Sequence, residues 1–246
     1  MRISVITAVF NRKDTIAQCV DSIRSQRWPN LEHIVVDGAS TDGTWEWLQR
    51  NGLRGSVMSS EPDKGIYNAL NKGLRKASGD VVGFMHSDDF FADDRVLEEV
   101  AQAFQHHEVD AVYGDLDYVL SKDASQVVRR WRSGGFSVSK LRMGWMPPHP
   151  TLYVRRKVIE RLGGFDERYK ISADYDAVLR YFSSEGFTAH YIPQVLVKMR
   201  TGGASNASLR TIARKSLEDY WALKRHRIGG VGSLLAKNFR KIEQFL

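Results

Sequence analysis

Ile34-Val35-Val36-Asp37-Gly38-Ala39-Ser40-Thr41-Asp42-Gly43-Thr44 is the stretch that decides the fold. Three β-branched apolar residues in a row read as a strand covered on both faces, because a half-exposed strand alternates apolar with polar. The run stops at Asp37-Gly38. Gly38 and Gly43 allow a tight backbone path, and Thr41 or Asp42 can cap a helix starting near Thr44. Asp37 then stands at the carboxyl end of a buried parallel strand, the edge where open α/β sheets bind ligands. A carboxylate there can accept hydrogen bonds from a base N–H or a ribose hydroxyl. A plain turn whose Asp only caps a helix carries the same residues, and the surrounding chain must separate the two readings.

Working outward, strand patterns at residues 3–9, 32–36, 56–59 and 81–85 alternate with helix patterns at 14–26, 44–51, 66–77 and 95–106. In the last of these, Val96, Leu97, Val100, Ala103 and Phe104 recur at helical spacing. Such alternation predicts a mostly parallel sheet covered by helices on both faces. Residues 111–113 and 126–131 read as further strands in a later, mixed part of the sheet. Residues 121–144 resist assignment, with Arg129, Arg130, Arg132, Lys140 and Arg142 set among Ser and Gly. Residues 152–162 and 174–182 read as helices. A last long helix at 209–227 gathers Ile212, Ala213, Leu217, Tyr220, Trp221 and Leu223 into an apolar face. After the glycine-rich break at 229–232, Leu235, Phe239, Ile242 and Leu246 mark a short amphipathic helix over 234–246.

A chain of 246 residues, 42% hydrophobic, can bury one large core with an appendage. The single cysteine, Cys19, excludes a disulfide framework and fits a reducing cytosol. It sits in the helical pattern of Ile16, Val20 and Ile23, where a buried thiol is expected rather than a nucleophile. Residues 3–10 are too short for a signal segment and read as the first strand; no apolar run approaches membrane-spanning length. The net charge is +7, and nine Lys/Arg against three acids after residue 205 account for +6 of it. Basic character of this kind suits nucleic acid or an anionic lipid surface. No nucleic-acid-binding motif accompanies it, so no nucleic-acid partner is expected.

A second acidic cluster follows the strand at 81–85, which runs directly into His86-Ser87-Asp88-Asp89. Adjacent carboxylates repel and either face solvent or share a cation. Mg²⁺ or Mn²⁺ would take such oxygen ligands and complete its shell with substrate phosphates.

Thr7-Ala8-Val9-Phe10-Asn11, the Val36–Thr44 segment, Asp63-Lys64-Gly65, Ala77-Ser78-Gly79-Asp80, Ser87-Asp88-Asp89, Gly163-Gly164-Phe165-Asp166-Glu167 and Ser172-Ala173-Asp174-Tyr175-Asp176 resemble, in order and spacing, the family-2 glycosyltransferases. The likeness covers roughly residues 1–200. It implies the GT-A fold: an α/β, Rossmann-like, mostly parallel sheet with helices on both faces, here with a C-terminal helical appendage. The expected organisation is a catalytic domain at 1–205, with a nucleotide-sugar-binding half (1–115) and an acceptor-side half (116–205). Basic amphipathic helices follow at 206–246. The resemblance further implies a nucleotide-diphosphate-sugar donor, with UDP the leading candidate, a divalent metal (Mn²⁺ or Mg²⁺), and inversion at the anomeric carbon.

Mapped onto this sequence, the resemblance makes Asp88 the principal metal ligand and Asp89 the secondary one. The family commonly has an acid where this chain has His86, for which hydrogen bonding is favoured over ligation. Asp37 is expected to recognise base and ribose, helped by the backbone around Thr7, Ala8, Phe10 and Asn11 and by Ser87. Lys64 is a candidate for the diphosphate or the sugar, or else a solvated loop lysine. Asp174 stands where the family carries its base, although the preceding Glu of the family is here Ala173. Asp176 is the weaker choice. Two acceptor-side candidates remain: His149, held among three prolines, and Trp145 as a platform for a sugar ring; a packed position is the alternative for each.

The expected activity is transfer of one sugar to a saccharide or lipid-linked saccharide acceptor in surface polysaccharide synthesis, in the cytoplasm. The basic C-terminal tail would meet the inner face of an anionic membrane, or else pack on the catalytic domain or a second subunit. No Gln-x-x-Arg-Trp motif is present, which counts against a processive synthase. The rivals are a sugar-nucleotide nucleotidyltransferase and a nucleotide-binding pseudoenzyme or scaffold.

Overall fold

The computed structural model describes residues 1–202 and 209–239. Its first half follows the alternation: β1 (Ile3–Val9), α1 (Ile16–Arg24), β2 (Leu31–Asp37), α2 (Thr44–Asn51), β3 (Val57–Ser60), α3 (Ile66–Lys76) and β4 (Val81–Phe84). A short β5 (Phe90–Phe91) and α4 (Val96–His106) follow. The second half holds β6 (Ala111–Val119), β7 (Val127–Trp131), α5 (Val138–Arg142), β8 (Tyr153–Arg155), α6 (Arg156–Leu162), α7 (Ala173–Phe182), β9 (Ala189–Arg200), α8 (Leu209–Arg225) and α9 (Val231–Phe239).

The strands form one sheet in the order β3-β2-β1-β4-β8-β6-β9-β5, with β7 paired to β6. Strands β1 to β4 are parallel, which sends all four carboxyl ends to the same edge. From β8 onward the sheet is mixed: β8 is antiparallel to β4 and β6, while β6 and β9 are parallel.

Alternate residues of the central strands enter two different cores, and this is why those strands are continuously apolar. Ile6, Ile34, Val36 and Val82 pack with Leu70 of α3, Val158 of α6 and Val178 of α7. Val5, Val35 and Val81 pack with Cys19 and Val20 of α1 and Leu97 of α4. Cys19 is fully buried, as its helical pattern indicated, and burial pushes its thiol pKa up. The sheet meets α3 closely at Gly73, where an added Cβ would lie 2.4 Å from Ile6 Cγ2.

Three expectations need correction. Residues 152–162 do not form one helix, because Tyr153–Arg155 is drawn into the sheet between β4 and β6. The twelve-residue β9 went unseen, its pattern broken by Pro193 and Gln194. In α8 the expected apolar face is split: Ile212, Leu217 and Trp221 are 47%, 48% and 53% exposed, while Leu223 is buried together with Glu218, Asp219 and Ala222. Residues Ile242 and Leu246 of the expected tail helix, with Arg240 and Lys241, lie outside the described residues.

Candidate active site

The carboxyl edge of β1 to β4 gathers the predicted residues. Asp37 ends β2 and is fully buried. Its Oδ2 accepts the Ser40 N–H at 3.0 Å and the Ser60 hydroxyl at 2.5 Å, whereas buried Oδ1 has no partner among the described residues. An orphaned carboxylate oxygen at a sheet edge awaits a donor. Phe10, 57% exposed at the end of β1, stands beside it. A Cβ on Gly38 would lie 3.3 Å from the Phe10 ring and 3.2 Å from Asp63 Oδ2, so these residues border one narrow space. Sequence reasoning missed the clamp on this loop: Lys72 of α3 pairs with Asp63 (2.6 Å) and Glu61 (3.1 Å) and donates to the Pro62 carbonyl.

Other candidates serve the frame. Thr7 directs its hydroxyl to His33 Nε2 inside the sheet at 3.1 Å, so its side chain does not face a ligand. Ala8 is buried in the core. Asn11, at φ 50, binds the β2 loop: its N–H donates to Ser40 Oγ and its Oδ1 accepts from the Thr41 N–H. Asn tolerates that left-handed conformation better than most residues. Ser87 is buried, its carbonyl accepting the Thr15 hydroxyl. Lys64 is exposed in the loop before α3, where its backbone N–H donates to Asn68 Oδ1.

Asp88 and Asp89 separate in role. Asp88 is half-buried, and among the described residues its one hydrogen bond is from Arg200 Nη1 to its backbone carbonyl. Asp89 is fully buried; its Oδ1 accepts the Arg200 N–H, which ties the turn to β9, and Oδ2 has no partner. Burial, and then the Asp88 charge, hold the Asp89 carboxyl well above its ordinary pKa. That burial and the Arg200 contact set Asp89 apart from the half-buried Asp88. Among the described residues no group of three or more His, Cys, Asp or Glu is gathered to hold a metal. Asp88 alone still fits a hard cation whose remaining ligands are phosphate oxygens and water.

Asp174 opens α7. Its Oδ1 accepts the Tyr67 hydroxyl (3.2 Å) and the Tyr175 N–H (2.8 Å), leaving Oδ2 unpartnered among the described residues. His86 and His149 lie nearby, with ring centroids 5.8 Å apart. Burial lowers both pKa values, that of His149 to about 4, although the Asp174 charge opposes the shift in each. Both are neutral near pH 7. His149 is stacked on Phe84 (5.0 Å) with Nε2 unpartnered. Asp176 points away into a buried contact with His226 (2.9 Å). Trp145 is not a sugar platform: it is 5% exposed, wedged among Tyr113, Phe136 and Phe182, and its indole N–H donates to the Ser133 carbonyl.

A mixed sheet of this order, with carboxylates at the ends of β2 and β4 and on a helix facing them, is the GT-A architecture of nucleotide-sugar-dependent transferases. The Glycosyl transferase family 2 model matches residues 4–163, and the chain belongs to that family. It is 33% identical over 183 residues to an uncharacterised glycosyltransferase of Mycobacterium tuberculosis, covering 72% of this chain and 68% of that one. It is 30% identical over 209 residues to the PGL/p-HBAD biosynthesis glycosyltransferase of the same species, covering 82% and 78%. S. aureus TarS in complex with UDP-GlcNAc superposes with a TM-score of 0.73 at 19% identity, over 93% of this chain and 66% of that one. Membership favours one of the classes the sequence left open: the chain is a family-2 glycosyltransferase acting on nucleotide sugars. Among the described residues no helix is long and apolar enough to cross a membrane.

Proposed function

We propose that this enzyme moves one sugar from a UDP-sugar to a hydroxyl of a saccharide on a lipid carrier, inverting the anomeric carbon, with Asp174 as the base. The observation that carries the reading is the state of Asp174, whose Oδ1 accepts the Tyr175 N–H and shares the Tyr67 hydroxyl with the Ile171 carbonyl, while Oδ2 has no partner among the described residues. A carboxylate so held can take the acceptor proton as the oxygen–carbon bond forms and the bond from carbon to the diphosphate oxygen breaks. The electron pair leaves with the diphosphate. Asp37 Oδ1 and the exposed Phe10 ring would hold the base of the donor. Asp88 would hold a divalent cation, which when bound neutralises charge on the departing diphosphate.

Related proteins support the finer points. An Escherichia coli relative, 33% identical over 123 residues, is named a UDP-Glc:alpha-D-GlcNAc-diphosphoundecaprenol beta-1,3-glucosyltransferase; the match covers 49% of this chain and 47% of that one. The mannosyltransferase PcManGT of Pyrobaculum calidifontis, similar in fold (TM-score 0.62, 21% identity, 92% and 73% of the two chains), was solved with GDP-Man and Mn²⁺. A lipid carrier also suits the outward face of α8. There Arg210, Leu217, Trp221 and Lys224, all exposed, follow i, i+7, i+11, i+14 spacing along one side. Lys237 does not join that surface, because it is buried against Asp219 (2.8 Å).

Asp174→Asn tests the reading. Donor binding, followed by thermal shift with UDP-, GDP- and dTDP-sugars in Mn²⁺, should persist, while turnover of the donor the parent uses falls by about 10²–10⁴-fold. Collapse of donor binding would instead place Asp174 in the donor site or the fold.

A further inference from the structure

The segment that delivers Asp174 is held from the far end of the chain. Lys170, Ile171 and Ser172 precede α7, and their three N–H groups all converge on one carboxylate, that of Glu218 in α8. The distances to Oε2 are 3.1, 2.8 and 3.1 Å, and Lys170 also reaches Oε1 at 3.2 Å. Glu218 is 2% exposed, and Arg214 closes its remaining side at 3.0 Å. Burial alone would raise its pKa, but the backbone donors and Arg214 outweigh it and hold the group below its ordinary value, so it is ionised. Charge-assisted bonds to three consecutive N–H groups leave that backbone little freedom. The same segment is gripped from the other side by Tyr67, whose hydroxyl reaches both the Ile171 carbonyl (2.5 Å) and Asp174 Oδ1. Immediately beyond Asp174, the Tyr175 ring is covered by Lys237 Nζ of α9, 3.2 Å from its centroid and paired with Asp219. Glu218 and Asp219 thus fix the chain on both sides of the proposed base.

We propose that Glu218 is a positioning residue for glycosyl transfer: it seats the Lys170–Ser172 backbone so that Asp174 meets the acceptor hydroxyl. This rests on Asp174 being the base. A misplacement of about 1 Å in such a group can cost on the order of 10²-fold in rate, while the hydrogen bonds of Glu218 among the described residues run to Lys170, Ile171, Ser172 and Arg214 and not to Asp37 or its loop.

The test uses the full chain and whichever of UDP-glucose, UDP-GlcNAc, UDP-galactose, dTDP-rhamnose and GDP-mannose the parent hydrolyses fastest in Mn²⁺. Four proteins are compared: Glu218→Gln, Glu218→Ala, Asp174→Asn, and the double variant Glu218→Gln/Asp174→Asn. Glu218→Gln should lower kcat by about 10²-fold with donor KM within about twofold, and Glu218→Ala should lower it further. Amide exchange at 170–172 should quicken in both. In the Asp174→Asn background, adding Glu218→Gln should change kcat little, because both changes act on one step. An unchanged kcat in Glu218→Gln, or a donor KM that rises in step with the loss, would overturn the proposal, as would additive losses in the double variant. Full turnover by Asp174→Asn alone would remove the base assignment itself, and slow Glu218 variants would then have to act on some other group. If Glu218→Ala does not fold, the Gln variant, which keeps one acceptor oxygen, still decides.

Discussion

Replacing Asp37 by Asn tests the donor pocket with almost no change of shape. In the native protein Oδ2 is engaged by the Ser40 N–H and the Ser60 hydroxyl, both donors, and Oδ1 is a buried acceptor with nothing to accept from among the described residues. An asparagine must turn its carbonyl oxygen toward those two donors, which puts its NH₂ where Oδ1 stood. The pocket then presents a donor to a base N–H or ribose hydroxyl that needs an acceptor. A hydrogen bond to a charged group contributes about 1.5–3 kcal/mol. At about 1.4 kcal/mol per tenfold, free UDP should bind roughly 10- to 150-fold more weakly. The free protein should lose little stability, because Asn keeps both existing bonds and only exchanges one unpaired buried polar group for another. Titration calorimetry with UDP, alongside GDP and dTDP as competitors, measures the first quantity; thermal unfolding without ligand measures the second. Affinity within twofold of the parent would refute the assignment. A large fall in Tm would show that Asp37 holds the loop rather than the nucleotide.

Asp88→Asn should leave thermal stability unchanged, since among the described residues only its backbone carbonyl is bonded to the fold, yet abolish the dependence of donor binding on Mn²⁺; metal-dependent affinity equal to the parent's would exclude Asp88 as the main ligand. The buried imidazoles set an acid limit. His33 and His149 both have pKa values lowered from 6.5 to about 4 by burial, so between those pH values the unfolded chain binds protons that the folded chain refuses, and stability falls as pH falls. At about 1.36 kcal/mol per unit the full loss approaches roughly 3 kcal/mol for each, so urea unfolding at pH 7 and pH 4.5 should show a clear drop, reduced in His33→Gln; stability that is flat over this range would contradict it. Replacing Leu217 and Trp221 by Ser should reduce co-sedimentation with vesicles rich in anionic lipid, and the parent's binding should weaken with added salt. Negligible binding of the parent would leave this face to another use.

What the sequence made legible was local. Strand β1 and helix α2 fall on residues 3–9 and 44–51 as their patterns predict, because each combines a regular apolar pattern with a break at its end. The loop after β2 was readable for the same reason, since Asp42 accepts from the Thr44 N–H and hydroxyl within a few residues. Tyr153–Arg155 misled because Val154, Val158, Ile159 and Leu162 also suit a helix, and pairing with two flanking strands overrode that pattern. In α8 the hydrophobic spacing was real but its orientation was not legible, since the side it buries carries two acids, Glu218 and Asp219, beside Ala222 and Leu223. Asp37, Asp88 and Asp174 could be nominated from motifs. Tyr67, Arg200 and Glu218 could not, because their contacts bridge separations such as the 107 residues between Tyr67 and Asp174, and no periodicity records those.

The grip of α8 on the segment before Asp174 gives the order of synthesis a meaning. A ribosome delivers the nucleotide-binding strands first, then the segment bearing Asp174, and only afterwards the carboxylate that three of its backbone N–H groups require. In a chain that stops before Glu218 those three N–H groups have no such acceptor. On the roles proposed for Asp37 and Asp174, transfer would depend on the last-made helix in a way that donor binding does not.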